Sequence, residues 1–391
     1  MTAAVNNDTV LDVDVICNKY DTNTFRSTFN IVDKFIVFHQ NVRSFQKNGD
    51  EFILFLTSLD SQFDVIILSE TWFSDGYEQH ISGFRSYHTC RSDRRGGGVS
   101  VYVSEKLKSY IIPDLSFTNS IAEFCTVNVT LSLNENINII GFYRPPGNAN
   151  VADFCDLLRD SVLSKFSPSQ SIVASGDANI DLLSVHDSST CQYMNIVYSF
   201  SLIPCITLPT RVTEYSSTLI DHFWCNIVSN VKSGIIETDI TDHFTVFLCI
   251  FDRRSDSSLL RRNFRDCSEE SLARLETRLA ESLSGFDLYD SLDVNIRTKI
   301  FMNIFWNTYE ECCPVKTKFI SRTRLNKPWF DSDLRRLCDE KHKLFKRYKE
   351  NLIPFSEYNT FKNRFSSLLK RTKINYFKTQ FYNCKADIKS T

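Results

Sequence analysis

Ile172-Val173-Ala174-Ser175-Gly176-Asp177-Ala178-Asn179-Ile180-Asp181 begins apolar and ends on glycine, a carboxylate and an amide. The apolar start reads as a buried strand, and Gly176 marks its end. Asp177 and Asn179 stand two positions apart. In an extended segment that spacing sends both side chains to one face. A carboxylate there can hold or activate a water, while the amide donates to a phosphoryl oxygen. A fold that gathers such strand ends at one edge would make a site, so the rest of the chain is read for more of them.

They recur. Phe35-Ile36-Val37-Phe38-His39-Gln40-Asn41-Val42-Arg43-Ser44 carries an apolar run into an amide and a cation. Phe63-Asp64-Val65-Ile66-Ile67-Leu68-Ser69-Glu70-Thr71-Trp72 delivers Glu70 at the end of four apolar residues. A carboxylate so placed suits a hard, oxygen-seeking cation such as Mg²⁺ or Mn²⁺. Phe142-Tyr143-Arg144-Pro145-Pro146 ends a strand with a phenol and a guanidinium, and its prolines stop the strand. Two Asp-His dipeptides follow, Asp221-His222 and Asp242-His243, each beside an apolar run. A histidine paired with a carboxylate from another strand is held in one tautomer with a raised pKa, ready to stabilise a phosphorane or protonate a leaving group. Each segment alone also fits an ordinary strand end. Gly96-Gly97-Gly98 lacks a following Gly-Lys-Ser/Thr, so it reads as a tight turn before the strand at Val99 rather than a nucleotide loop.

Between residues 34 and 252 short apolar runs alternate with helical patterns over Glu51–Leu59, Val151–Phe166 and Thr190–Phe200. Val99-Ser100-Val101-Tyr102-Val103 has the period-two pattern of a half-buried strand. Hairpin-like stretches interrupt the strand–helix alternation, which favours two packed sheets over one doubly wound sheet. Residues 1–33 are polar and weakly patterned and are expected to form an N-terminal arm. Arg253–Leu260 is charged and Ser-rich and opens a helical connector over 253–325, with helices expected at Cys267–Leu283 and Val294–Glu311. Residues 326–391 read as two basic amphipathic helices hinged near Pro354, with Leu334, Leu337, Leu344 and Phe345, then Phe361, Phe365, Leu368 and Leu369, at helical spacing.

The bulk numbers fit a globular chain of more than one unit. Of 391 residues, 42% are hydrophobic and 32 are Phe, enough apolar area for a large core. The net charge of −2 conceals an asymmetry: residues 321–391 hold 18 Lys+Arg against 7 Asp+Glu, and residues 1–320 hold 27 against 40. The 13 cysteines form no CxxC pair and no zinc-like cluster, so reduced, buried thiols are expected. The first residues lack the pattern of a signal peptide, and no run of 18 apolar residues occurs. These features predict an intracellular protein, nuclear or cytoplasmic, with no membrane partner.

In this order the segments resemble the endonuclease/exonuclease/phosphatase superfamily, at Asn41, Glu70, Tyr143, Asp177 with Asn179, Asp221, and Asp242 with His243. The combination is far more specific than any member. Within the superfamily, Leu68-Ser69-Glu70-Thr71-Trp72, Phe142-Tyr143-Arg144-Pro145-Pro146, Leu208-Pro209-Thr210-Arg211 and Ser217-Thr218-Leu219-Ile220-Asp221-His222 are most similar to the abasic-site-type endonuclease of non-LTR retrotransposons. The resemblance covers residues 34–252. Lys327-Pro328-Trp329-Phe330 and the basic helices after it weakly resemble the segment that precedes the reverse transcriptase in such elements. Thr241 stands where the family more often has Ser, and no Tyr-x-Asp-Asp polymerase signature occurs.

The resemblance implies a four-layer α/β sandwich with two packed mixed β-sheets, followed here by an α-helical basic tail. It implies Glu70 as a metal ligand, with Asp242 supporting the metal region or the hydrogen-bond network. Asp177 would orient or deprotonate the attacking water, Asn41, Tyr143 and Asn179 would bind the scissile phosphate, and Asp221 would orient His243. His222 has no implied catalytic role. Arg43, Arg144 and Arg211 are the candidate DNA-binding cations. The implied activity is Mg²⁺- or Mn²⁺-dependent nicking of DNA to leave a 3′-hydroxyl that primes reverse transcription. Two other readings stand beside it: a phosphatase or phosphodiesterase of the same fold, and a catalytically decayed nucleic-acid-binding remnant. The tail has two readings as well, contact with DNA or element RNA, or a solvated hairpin whose apolar face belongs against a missing polymerase.

Overall fold

Alternation inside the strands builds the layers. In Phe35-Ile36-Val37-Phe38, Phe35 and Val37 join one apolar cluster, while Ile36 and Phe38 join another on the opposite face. The computed structural model describes residues 17–29, 34–59, 61, 63–74, 76, 79–92, 95–132, 135–147, 150–213, 215–227, 229–251, 260–289, 292–320 and 327–383. They fall into two units, 1–256 with 323–391, and 257–322.

In chain order the first unit holds β1 (Cys17–Tyr20), α1 (Thr22–Phe29), β2 (Lys34–Asn41), α2 (Phe45–Ser58), β3 (Val65–Ser69), β4 (Phe84–Thr89), β5 (Val99–Ser104), β6 (Lys108–Ile111), β7 (Phe117–Thr118), β8 (Glu123–Ser132) and β9 (Glu135–Tyr143). It continues with α3 (Val151–Leu157), β10 (Ser171–Asp177), α4 (Ser188–Ser199), β11 (Ile203–Pro204), β12 (Arg211–Val212), β13 (Ser217–Thr218), β14 (Asp221–Cys225), β15 (Val231–Ile236) and β16 (Thr245–Phe251). One mixed sheet runs β1-β15-β16-β2-β3-β5-β4, and the other runs β11-β14-β10-β9-β8-β6 with β7 paired to β8. The sheets face each other across a core that includes Val37, Ile67, Val101, Val127, Ile139, Val173 and Phe223. A second core lies between the first sheet and α1 and α2, and a third between the other sheet and α3 and α4. This is the four-layer α/β sandwich with two mixed sheets.

Two expectations change in this unit. Residues 17–29 are sheet and core rather than an arm: β1 pairs in parallel with β15, and Phe25 and Phe29 are fully buried. The polar pattern of Cys17–Tyr20 reflects a short edge strand, which buries little. The tail, too, is a packed layer. After the other unit the chain forms α7 (Ser332–Lys349) and α8 (Phe355–Asn383), joined through Pro354. Asp331 caps α7, accepting from the Leu334 N–H at 2.7 Å, and Lys346, Arg347 and Lys349 complement the dipole in its last turn. Phe330, Leu334, Cys338, Phe365 and Leu369 join the core on the α2 side of the first sheet. Lys327 and Lys373 pair with Asp50, Lys341 with Glu51 and Asp239, and Lys346 with Asp21. The acidic body and the basic tail are thus partly each other's counter-charges. Lys343, Arg347, Lys370, Arg371 and Lys378 remain exposed.

The second unit contains β17 (Leu260–Arg265), α5 (Glu269–Leu283), α6 (Val294–Cys312) and β18 (Val315–Ile320), the helices falling within two residues of their expected bounds. The antiparallel pairing of β17 with β18, which ties the ends of the two helices together, was not expected from a helical connector. The expected linker lies, over 253–259, outside the described residues. Among the described residues no helix is long and apolar enough to cross a membrane.

Candidate active site

Strand register sets the site. On β10, Asp177 lies opposite Tyr143 of β9 on one side and Asp221 of β14 on the other. In the facing sheet Asn41 ends β2 opposite Ser69, the residue before Glu70. Gly176 is required next to Asp177, because a Cβ there would overlap the Phe142 carbonyl of the neighbouring strand. Polar side chains from both sheets therefore meet at one edge of the sandwich.

Asn41 joins the two carboxylates. Its Nδ2 donates to Glu70 Oε1 at 2.9 Å and to Asp177 Oδ2 at 2.8 Å, and its Oδ1 accepts from the Arg43 N–H at 3.1 Å. Asn41 is fully buried, so its role here is to bridge Glu70 and Asp177. Glu70 is half-buried, and its other oxygen accepts from Trp72 Nε1 at 3.3 Å. The Gly96–Gly98 turn supports this segment: Thr71 donates to the Gly98 carbonyl and Trp72 to that of Gly97. All three glycines have positive φ, as the close turn requires.

The second cluster is Asp221 with His243. His243 Nδ1 donates to Asp221 Oδ2 at 2.7 Å, and the Thr210 hydroxyl donates to the same oxygen at 2.7 Å. Burial alone would lower the His243 pKa, but the Asp221 carboxylate raises it to about 9. Asp221 itself is held below its ordinary value despite its burial, chiefly by the His243 cation. Asp177 moves the other way. Burial and the nearby Asp221 charge push it up to about 7, against the opposing pull of His243 and the N–H donors of Asn179 and Asn41. Ligating atoms of Asp177, Asp221 and His243 lie within 4.8 Å of one another. Two carboxyl groups and one imidazole of such different proton affinity form an acid–base set. Tyr143, buried beside Glu70 and Asp177, has its phenol pKa raised and stays a proton donor.

The remaining candidates are placed differently. Both oxygens of Asp242 are taken by guanidinium groups, Oδ1 by Arg43 at 2.7 Å and Oδ2 by Arg211 at 2.8 Å. Its pKa falls to about 2, because these two bonds outweigh its burial. Asp242 belongs to an ion-pair network and not to an open metal-ligand pair. Arg43 keeps about half its side chain exposed (51%), and Arg211 36%. Arg144 does not face solvent: it is 5% exposed, and its guanidinium donates to the Ala178 and Asn179 carbonyls at 3.2 and 3.3 Å. It shapes the loop after β10 rather than offering itself to DNA. Asn179 departs from the extended geometry expected of it. The strand ends at Asp177, Asn179 turns to φ 49°, its N–H donates to Asp177 Oδ1 at 3.0 Å, and its Nδ2 to the Arg144 carbonyl at 2.7 Å.

His222 is structural, fully packed with Nδ1 on the Tyr193 hydroxyl and Nε2 on the Ile180 carbonyl. Two residues beyond the candidate set join the site. The Thr210 hydroxyl also accepts from the Asp221 N–H at 3.0 Å, and only its place beside Arg211 hinted at this. His39 is fully buried and kept neutral by that burial, its pKa down to about 4, with Nδ1 3.9 Å from Asp221 Oδ1. Its position after four apolar residues was the available signal.

Backbone strain collects here too. Of eight non-glycine residues with positive φ among the described residues, Arg43, Ser44, Glu70, Trp72 and Asn179 belong to these segments. Such conformations persist where the surroundings over-determine them, as at functional sites.

No curated protein matches the chain. Similar solved structures include the endonuclease domain of TRAS1, a telomere-specific non-LTR retrotransposon, at 15% identity and TM-score 0.47, covering 56% of this chain and 100% of that one. The AP endonuclease LMAP from Leishmania major is similar at 12% identity and TM-score 0.48, covering 60% of this chain and 93% of that one. D. rerio TDP2 complexed with a single-strand DNA product follows at 14% identity and TM-score 0.41, covering 55% of this chain and 98% of that one. The model of the Endonuclease/Exonuclease/phosphatase family matches residues 39–243, more than half of the chain and every clustered residue from His39 to His243, so the chain belongs to that family.

Proposed function

We propose that the chain is a metal-dependent DNA endonuclease that leaves a 3′-hydroxyl, as in target-site nicking by a non-LTR retrotransposon. The observation that carries this reading is the meeting of the Glu70–Asn41–Asp177 bridge with the Asp221–His243 pair at one sheet edge. The donor set fits a hard divalent cation: Glu70 is a half-buried carboxylate whose oxygens accept from the neutral Asn41 and Trp72 N–H groups, with Asp177 joined to it through one amide. Glu70, with Asp177 beside it, would hold Mg²⁺ or Mn²⁺. Such an ion supplies Lewis-acid polarisation of a phosphoryl oxygen.

The chain's own groups do the rest. Asp177 takes the proton of the attacking water as the water oxygen bonds to phosphorus. The bond from phosphorus to the 3′ oxygen breaks in line, and that oxygen takes a proton from solvent to become the 3′-hydroxyl. Protonated His243, locked by Asp221, faces the negative charge that develops. Tyr143 donates to a phosphoryl oxygen. Trp72 and Arg43, exposed by 37% and 51%, and Arg95, 5.5 Å over the Trp72 ring, give the rim an aromatic and cationic character suited to a nucleic-acid strand.

Supercoiled-plasmid nicking with Mg²⁺, with and without EDTA, tests this beside phosphate release from small phosphoesters. Nicking that requires the metal and disappears in Asp177→Ala is expected. DNA binding with no nicking under any divalent cation would leave a binding remnant. Phosphate release without nicking would move the substrate to small esters.

A further inference from the structure

Residues 237–244 link β15 to β16, and they carry Asp242 and His243 without regular secondary structure. Such a loop needs fixing if His243 is to stay on Asp221. Part of the fixing comes from β2: the Thr241 hydroxyl donates to the Asn41 carbonyl at 2.9 Å, and Gln40 Nε2 donates to the His243 carbonyl at 3.0 Å. More comes from the segment around Arg211, which bridges His243, pairs with Asp242 and, through the Thr210 carbonyl, accepts from the Phe244 N–H at 2.7 Å, and more again from the tail.

Asp239 is 2% exposed, three residues before Asp242. Among the described residues, the cations paired with it all come from the tail. Lys341 of α7, fully buried, places Nζ 2.7 Å from Asp239 Oδ1 and also contacts Glu51 of α2. The Tyr358 hydroxyl of α8 donates to Oδ2. Lys362 Nζ, also on α8, donates to the Asp239 carbonyl at 2.6 Å. A buried carboxylate held in this way cannot leave without breaking its bond to Lys341 and leaving that buried charge to Glu51 alone. At the loop's other end Phe244, the residue after His243, shares the core with Phe345, Ile353 and Tyr358, and Lys349 Nζ lies 6.0 Å from its ring centroid. The tail therefore grips the loop on both sides of Asp242 and His243.

We propose that the α7–α8 hairpin is a working part of the nuclease, in which Lys341 and Tyr358 are positioning residues that hold His243 on Asp221 through Asp239. The proposal rests on the nuclease reading for its catalytic consequence and on geometry alone for the clamp. Its sequence, between a separate unit and the end of the chain, gives no hint of this, because the contacts span more than 100 residues.

The full chain tests it with Lys341→Met, Lys341→Arg and Tyr358→Phe, reading nicking kinetics and amide hydrogen exchange. Lys341→Met is expected to lower kcat about 10- to 100-fold with KM within about twofold, since the loss is one of orientation. Exchange over 238–244 is expected to accelerate by about tenfold or more while β2 amides keep their protection. Tyr358→Phe gives a smaller effect of the same kind, and Lys341→Arg, which keeps the charge in a tighter fit, retains kcat at least about threefold above Lys341→Met. A faster loop with unchanged kcat, an unchanged loop, or acceleration spread evenly through the sheets would each overturn the positioning role. If Lys341→Met does not fold, Tyr358→Phe decides. Failure of the wild type to nick would remove the nuclease reading, while the exchange result would still decide the clamp.

Discussion

The Asn41 amide donates to the Asp177 carboxylate across the gap between the two sheets, at 2.8 Å. The same nitrogen serves Glu70 at 2.9 Å, so one neutral side chain holds two acids side by side. Asn41→Asp would place a third carboxylate between them and remove both donated bonds. Loss of activity of about 100-fold or more is expected, because the acids would no longer be held in one geometry. Asn41→Ala leaves buried acceptors unpaired and is expected to lower stability by about 1–3 kcal/mol. Plasmid-nicking rates and urea unfolding check the two effects. Near wild-type nicking by Asn41→Asp would remove the bridge from the mechanism.

The Asp221–His243 bond has a pH signature. The folded His243 pKa of about 9 lies above its ordinary 6.5, with the Asp221 charge outweighing burial. The sign is therefore that of a raised base: the pair's stabilisation is fully present below 6.5 and is lost as pH rises through about 9. The protonated form persists over the same range, so nicking should fall on the alkaline side near pH 9. Asp221→Asn removes the charge and the tautomer lock. Its alkaline limb should move down toward the ordinary histidine value, with kcat lower by about 10³- to 10⁴-fold. An alkaline limb that stays in place would show that His243 does not set it.

Two arginines suggested by the sequence as DNA contacts should behave differently. Arg43 is half exposed, while Arg144 is buried on backbone carbonyls. Arg43→Ala should weaken DNA binding and reduce the slope of log K against log salt by about 0.9, the loss of one phosphate contact. Arg144→Ala should leave that slope unchanged and destabilise the loop after β10. Salt titrations of binding and thermal unfolding separate them. A reduced slope in Arg144→Ala would return that residue to the DNA surface.

Much of the sandwich was legible because its signals are local. The run into Asp177 and the alternation in Val99–Val103 each describe a strand within one stretch of chain. The helical spacing of Leu334 and Phe345, like that of Phe365 and Leu369, did the same for the tail. The site was legible only in part. Strand ends gave Asn41, Glu70, Asp177 and Asp221, but not what each would face. That Asp242 spends both oxygens on Arg43 and Arg211 depends on residues 199 and 31 positions away. Arg144 could not be distinguished from an exposed arginine by its neighbours. Asn179 leaves the extended geometry because its N–H donates to the Asp177 carboxylate and turns the chain, which a two-residue spacing does not reveal. Cys17–Tyr20 was missed because a four-residue edge strand has little room for a pattern.

The tail's seat on the nuclease gives the last test. Phe365 is 2% exposed in the core that α8 shares with α2 and the first sheet. If the hairpin were a loosely attached tail, truncating this ring would alter stability by well under about 1 kcal/mol, as surface substitutions do. As part of the core, Phe365→Ala should lower unfolding stability by about 3–5 kcal/mol. The buried pair beside it adds a pH dependence. Burial works against the Asp239 charge, yet Lys341 holds its pKa below the ordinary 3.8, so its contribution is present above that value and lost as pH falls through the depressed pKa. Lys341 is buried yet raised above 10.5 by Asp239 and Glu51, so its contribution is present below 10.5 and lost only at higher pH. Denaturant unfolding of wild type and Phe365→Ala at neutral pH, with Lys341→Met compared from neutral to acid, reads both effects. Wild type should lose more stability on acidification than Lys341→Met, because it has the 2.7 Å Lys341 pair to lose in addition to the longer Lys362 contact at 3.8 Å that both keep. Parallel acid profiles would show that the pair does not fasten the tail, and a negligible effect of Phe365→Ala would show that the hairpin is not part of the core.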